Sequence, residues 1–137
     1  MTPEQIKLVQ DSFAKVRPIA GQAADLFYGR LFAIAPQVRS LFPDDMAEQK
    51  QKLMAMLGLA VANLNHPGTV VPALQDLGRK HVAYGTQAAH YAPVGEALLW
   101  TLEQGLGADF TPEVRAAWVE TYTLVAGVMK EAAAQAA

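Results

Sequence analysis

Residues 70–85, Val70-Val71-Pro72-Ala73-Leu74-Gln75-Asp76-Leu77-Gly78-Arg79-Lys80-His81-Val82-Ala83-Tyr84-Gly85, carry apolar side chains at helical spacing with one imidazole among them. Steps of three and four put Leu74, Leu77 and His81 on one face, with Arg79 and Lys80 elsewhere on the same turn. The histidine therefore points inward. There its ring must either hydrogen-bond within a core or bind something, because buried polar groups are nearly always partnered. On this segment alone, both outcomes stay open.

The flanking sequence has the same helical character. Thr2-Pro3, with Gln5 three residues after Thr2, is a helix start: a capping hydroxyl, a proline where its missing N–H costs nothing, and an amide able to reach back to the cap. That helix runs to about Arg17 with Ile6, Val9, Phe13 and Val16 on one face, and Pro18 with Gly21 interrupts it. A second helix carries Ala24, Phe27, Leu31 and Ile34, with Tyr28 beside them, and ends at Pro36, because proline disfavours helix in the residue before it. A short helical turn is expected over Gln37–Leu41. From Met46 to Asn65, Gln49, Leu53, Leu57, Ala60 and Leu64 form a stripe that Asn65-His66-Pro67-Gly68 stops.

Beyond the His81 segment, Tyr91-Ala92-Pro93 opens a helix through Val94, Leu98, Leu102 and Leu106, weakened at its end by Gly105 and Gly107. Thr111-Pro112-Glu113 starts the last one, with Val114, Trp118, Thr121, Val125 and Val128 on one face. The alanine-rich stretch from Glu131 to Ala137 is expected to be a fraying tail. No strand-like alternation and no repeat of 20–50 residues appears. Seven helices, some short, in one domain over residues 1–137 is the expected all-α architecture.

Composition narrows the function classes. With 52% hydrophobic and 18% charged residues the chain is too apolar for disorder, and its apolar runs are too short for a membrane span. A net charge of −2 argues against a nucleic-acid partner held by a generally basic surface. The absence of cysteine excludes disulfides, thiolate metal sites and cysteine nucleophiles, so any metal must rest on His, carboxylate or Tyr. Met1-Thr2-Pro3-Glu4-Gln5 lacks the basic start and apolar run of a secretory signal, which makes the cytoplasm the expected location. Of the other histidines, His66 reads as a solvated loop residue and His90 as one that caps or hydrogen-bonds at a helix start.

Taken together, Phe27-Tyr28, Pro36, Phe42, Gln49 with Leu53, His81 and Tyr91 resemble a globin, specifically a bacterial single-domain globin similar to the haem domain of flavohaemoglobins. The strings Leu26-Phe27-Tyr28-Gly29-Arg30-Leu31-Phe32 and His90-Tyr91-Ala92-Pro93-Val94-Gly95-Glu96-Ala97-Leu98-Leu99 are similar to that family's most recognisable segments, and Trp118 and Tyr122 match its last helix. The intervals agree as well: six residues from Pro36 to Phe42, 32 from Gln49 to His81 and ten from His81 to Tyr91.

The resemblance implies a globin fold, a three-on-three helical sandwich around one haem b. His81 would be the proximal iron ligand, its second ring nitrogen fixed by a backbone carbonyl near Leu77. Phe42 would pack on the porphyrin, Leu53 and Leu57 would form an apolar wall, Tyr91 would stand on the histidine side, and Lys52 and Arg79 would meet the propionates. Tyr28 and Gln49 correspond to the polar positions that hydrogen-bond a diatomic ligand, with Leu53 beside them. A glutamine at that place makes a pentacoordinate iron the expected resting state.

The implied function is reversible binding of dioxygen, and of NO and CO, for storage, delivery or buffering. The alternative is an NO dioxygenase that draws electrons from a separate reductase, since 137 residues leave no room for a flavin domain. A cofactor-free helical interaction domain, with His81 as a core residue, is the third class. One departure weighs against the enzyme. The relatives place a carboxylate on the last helix opposite the tyrosine matching Tyr91, and eleven residues on from Tyr122 this chain has Ala133. Glu131, two residues away, is rotated by about 200° around the helix.

Overall fold

Thr2 begins the first helix, α1 (Pro3–Val16), in the way its sequence predicts: its hydroxyl accepts the Gln5 backbone N–H at 3.1 Å, and the Gln5 side chain accepts the Thr2 N–H at 2.9 Å. Two donors with no partner inside the helix are thereby satisfied. The computed structural model describes residues 1–136. After α1 a 3-10 turn at Arg17–Ile19 leads into α2 (Ala20–Ile34), which leaves helical geometry at Ala35, immediately ahead of Pro36. A 3-10 segment covers Pro36–Leu41, where a short helical turn was expected. Then follow α3 (Ala47–Ala62), α4 (Pro67–Ala83), α5 (Tyr91–Leu106) and α6 (Pro112–Ala136), with no strand among the described residues. Gly107, at φ +56°, ends α5 in a conformation that glycine adopts without penalty.

Two boundaries differ from expectation. α3 ends at Ala62, three residues short of Asn65, and Pro67 occupies the first position of α4, so that helix begins three residues before Val70. Proline fits this place, because the first helical residue has no intrahelical use for its N–H. The alanine-rich end is helical over its described length, as expected: α6 continues to Ala136, and Ala132 is buried. Alanine is the best helix former and small enough to pack closely. Ala137 lies outside the described residues.

The helices stack in two layers, α1, α3 and α4 against α2, α5 and α6, which is the three-on-three sandwich. Within and between the layers, α4 packs on α6, α2 on α5, and α1 on α6. Trp118 of α6 anchors the larger core against Phe13 of α1, their ring centroids 6.3 Å apart. Its buried indole N–H donates to Ser12 Oγ at 2.8 Å, and Ser12 donates on to the Val9 carbonyl at 3.0 Å. The polar tip of the largest core residue is thus paired, which avoids the cost of a lone buried donor.

The approach of α4 to α6 depends on Gly78. A methyl group there would collide with the Met129 carbonyl oxygen and stand 2.8 Å from its Cα. Both are backbone atoms that cannot rotate away. Gly78→Ala is therefore expected to lower the unfolding free energy by about 1–3 kcal/mol, in the range of overpacked cores. Gly127→Ala serves as the control: nothing lies within 4 Å of the added carbon, and a gain of up to about 1 kcal/mol is expected from the stiffer unfolded chain. Urea unfolding of the two variants measures both, and equal stabilities would contradict the close helix contact.

Candidate functional site

Helices α3, α4, α5 and α6, with Phe27 of α2, line an apolar hollow of about 170 Å³ that is open on one side. Leu53 and Leu57 face it from α3, Leu77 and His81 from α4, Tyr91 from α5 and Tyr122 from α6. Residues separated by dozens of positions in the chain thus meet around one cavity.

His81 is half-buried there, and its Nδ1 lies 2.8 Å from the Leu77 carbonyl oxygen one turn earlier. A carbonyl only accepts, so Nδ1 carries the hydrogen and Nε2 keeps its lone pair. The ring is further held by the Tyr84 ring, edge-on at 5.6 Å between centroids. Burial holds the imidazole pKa below its ordinary value, and the bond to Leu77 opposes this only in part. A neutral imidazole with a free lone pair is the form that ligates a metal. Among the described residues there is no cluster of three or more His, Cys, Asp or Glu that could hold a metal ion.

Tyr91 and Tyr122 stand on the same side. Tyr122 donates its hydroxyl to the Tyr91 carbonyl at 2.5 Å, and this path is open because Gly95 has no side chain: a methyl group there would lie 2.7 Å from the Tyr122 ring. Burial raises the pKa of both phenols, so both remain protonated. The Tyr91 hydroxyl is buried without a hydrogen-bond partner, and the Lys130 ammonium lies 5.9 Å from the Tyr91 ring centroid. Ala133 is partly buried and Glu131 exposed, so no carboxylate of α6 partners this tyrosine.

Tyr28 and Gln49 form a second cluster between α2 and α3. The Gln49 amide Nε2 donates to the Tyr28 hydroxyl oxygen at 3.2 Å. Phe42 packs edge-on to Tyr28, ring centroids 5.5 Å apart, and to Phe32 at 5.4 Å. None of these three lines the hollow itself; they adjoin it through Phe27, which packs on Tyr28, and through Leu53, one turn after Gln49. Burial raises the Tyr28 pKa, and the Gln49 bond lowers it by less.

Lys52 and Arg79 are both exposed and outside the lining of the hollow, and Lys52 pairs with Glu48 at 3.4 Å. His66 is exposed, as a loop residue should be. Sequence reasoning missed the placement of His90: it accepts a hydrogen bond at the helix start, yet it also faces the hollow. Its adjacency to Tyr91 was the available signal. Gly78 and Gly95 were missed because a needed absence of side chain leaves no periodic trace.

The Globin family model matches residues 25–129. A flavohemoprotein of Xylella fastidiosa strain Temecula1 is 30% identical over 133 residues, which cover 95% of this chain and 33% of that protein. Neuroglobin-1 of Oncorhynchus mykiss is 27% identical over 143 residues, covering 94% of this chain and 90% of that protein. The chain thus spans about a third of the length of the flavohemoprotein, which it matches over 33%.

The depressed pKa of His81 makes stability depend on pH. The unfolded imidazole takes up a proton below about 6.5, whereas the folded one resists it. Stability from this group is complete above that value and is lost as pH falls through the lower folded pKa. Urea midpoints of the apoprotein are expected to fall from pH 7 to pH 5, and to fall less steeply in His81→Gln. Parallel profiles for the two proteins would assign the dependence to other groups.

Proposed function

This chain belongs to the globin family, and on that premise we propose that it binds haem b through His81 and reversibly binds dioxygen, along with NO and CO, for storage, delivery or buffering in the cytoplasm. The observation that carries this reading is the bond from His81 Nδ1 to the Leu77 carbonyl, which leaves the Nε2 lone pair on the wall of an apolar hollow. Bound haem would supply a ferrous iron with one position open to a diatomic gas. Leu53 and Leu57 keep bulk water out on the α3 side, and Tyr91, Leu77 and Tyr122 close the α4–α6 side.

Tyr28 supplies ligand discrimination. Because Gln49 donates to the phenol oxygen, the phenol hydrogen is left to donate elsewhere, and burial keeps it in place across the physiological pH range. A donor of this kind favours dioxygen, which is polarised when bound, over the less polar CO. Its net value is on the order of 1 kcal/mol.

The α6 side supports gas binding more than turnover. Tyr91 has no carboxylate partner, Ala133 stands where the flavohaemoglobin-like pattern has one, and the charge that lies over the Tyr91 ring is the cation of Lys130. Without a negative charge relayed to it, the imidazole donates less electron density to a metal. The NO dioxygenase reading rests on the flavohemoprotein relative and would need a separate reductase.

Three results test the proposal. His81→Ala should abolish the Soret band after haem supplementation; undiminished haem uptake by this variant would overturn it. Tyr28→Phe should release dioxygen about fivefold faster, the equivalent of roughly 1 kcal/mol, while CO release changes little. When the oxygenated protein is mixed with NO and a reductase, a single turnover is expected; sustained nitrate production would establish the enzyme instead.

A further inference from the structure

Of the polar groups on the wall of the hollow, the Tyr91 hydroxyl has no partner and the others each have one. Tyr122 donates to the Tyr91 carbonyl, Thr121 donates to the Ala117 carbonyl, and His81 spends Nδ1 on Leu77. His90 is held in the opposite sense to His81. Its Nδ1 lies 3.0 Å from the Gln87 backbone nitrogen, and a backbone N–H only donates, so Nδ1 accepts. The neutral ring therefore carries its hydrogen on Nε2. Two histidines on one hollow are fixed by local backbone in opposite tautomers: His81 keeps a lone pair, which suits a metal cation, and His90 keeps an N–H, which suits an anion.

His90 lines the hollow and, like His81, is half-buried, so part of its ring reaches the solvent-facing edge. A porphyrin in an apolar slot presents its carboxylates at such an edge, where desolvating them costs least. The two cations first expected to meet those carboxylates, Lys52 and Arg79, are exposed and do not face the hollow. We infer that His90 anchors the haem by donating its Nε2–H to a propionate, with the Gln87 N–H holding the ring in the donating tautomer. This assignment rests on the haem-binding reading above.

Isosteric substitutions separate the anchor from the cap. His90→Asn keeps an oxygen where Nδ1 stood, able to accept the Gln87 N–H, but has no donor at the Nε2 position. His90→Gln does the reverse. Each protein is reconstituted with protohaem or with protohaem dimethyl ester, whose propionates carry no charge, and haem transfer to excess apomyoglobin is timed. His90→Asn is expected to lose protohaem about five- to tenfold faster than the natural chain, as fits a hydrogen bond to a charged group. His90→Gln should stay within about twofold of it, and the Asn effect should shrink to under about twofold with the ester. Apoprotein urea midpoints confirm that each variant folds. Equal loss rates for His90→Asn and the natural chain, or the same acceleration with both haems, would overturn the anchor while leaving haem binding by His81 intact. Failure of the natural chain to take up either haem would overturn both.

Discussion

Everything proposed for this site depends on the hydrogen bond between His81 Nδ1 and the Leu77 carbonyl. Inside a regular helix that carbonyl already accepts a backbone N–H one turn on, but its second lone pair is free, so the bond costs the helix nothing. In return it fixes the ring orientation and the tautomer together. An imidazole at this depth without such a bond would have two nitrogens of undetermined role. With it, one nitrogen is committed to the protein and the other is available for a metal.

A tautomer is useful only if the helix bearing it stands at the right distance from the opposite wall. That distance is set by the contact between Gly78 and the Met129 backbone, one turn before His81, and by Gly95, which lets Tyr122 reach the Tyr91 carbonyl. The site is therefore framed by two places where a side chain is missing. Across from it, Gln49 and Tyr28 form a donor chain whose last hydrogen is unspent. The hollow carries a lone pair on its wall, and the polar donor pair adjoins it through Phe27 and Leu53, with apolar walls that make each interaction stronger than it would be in water.

Much of this was legible beforehand because it follows from local rules. The Thr2 cap, the stop at Pro36 and the inward face of Leu74, Leu77 and His81 depend on residues within a turn or two of one another. The expected partner of His81, a carbonyl near Leu77, was legible for the same reason: position i−4 is where an α-helix puts it. The start of α4 was misjudged because Pro67 reads equally well as the end of one helix and the start of the next. The burial of Ala132 in the alanine tail was not legible, because burial of small residues depends on what lies across from them, which local composition does not record.

By itself, then, the order of residues determined the helices and the inward histidine, since periodicity and capping act over a few residues; Tyr28 and Gln49 stood out only through the family resemblance. Only the tertiary structure decided which polar atoms share the hollow. It brought His90 to the edge, left Lys52 and Arg79 outside, and left the Tyr91 hydroxyl without a partner while Lys130 lay over its ring. Those outcomes turn on the distance between helices far apart in the chain, and that distance is fixed by how closely two backbones can pack where glycine leaves room.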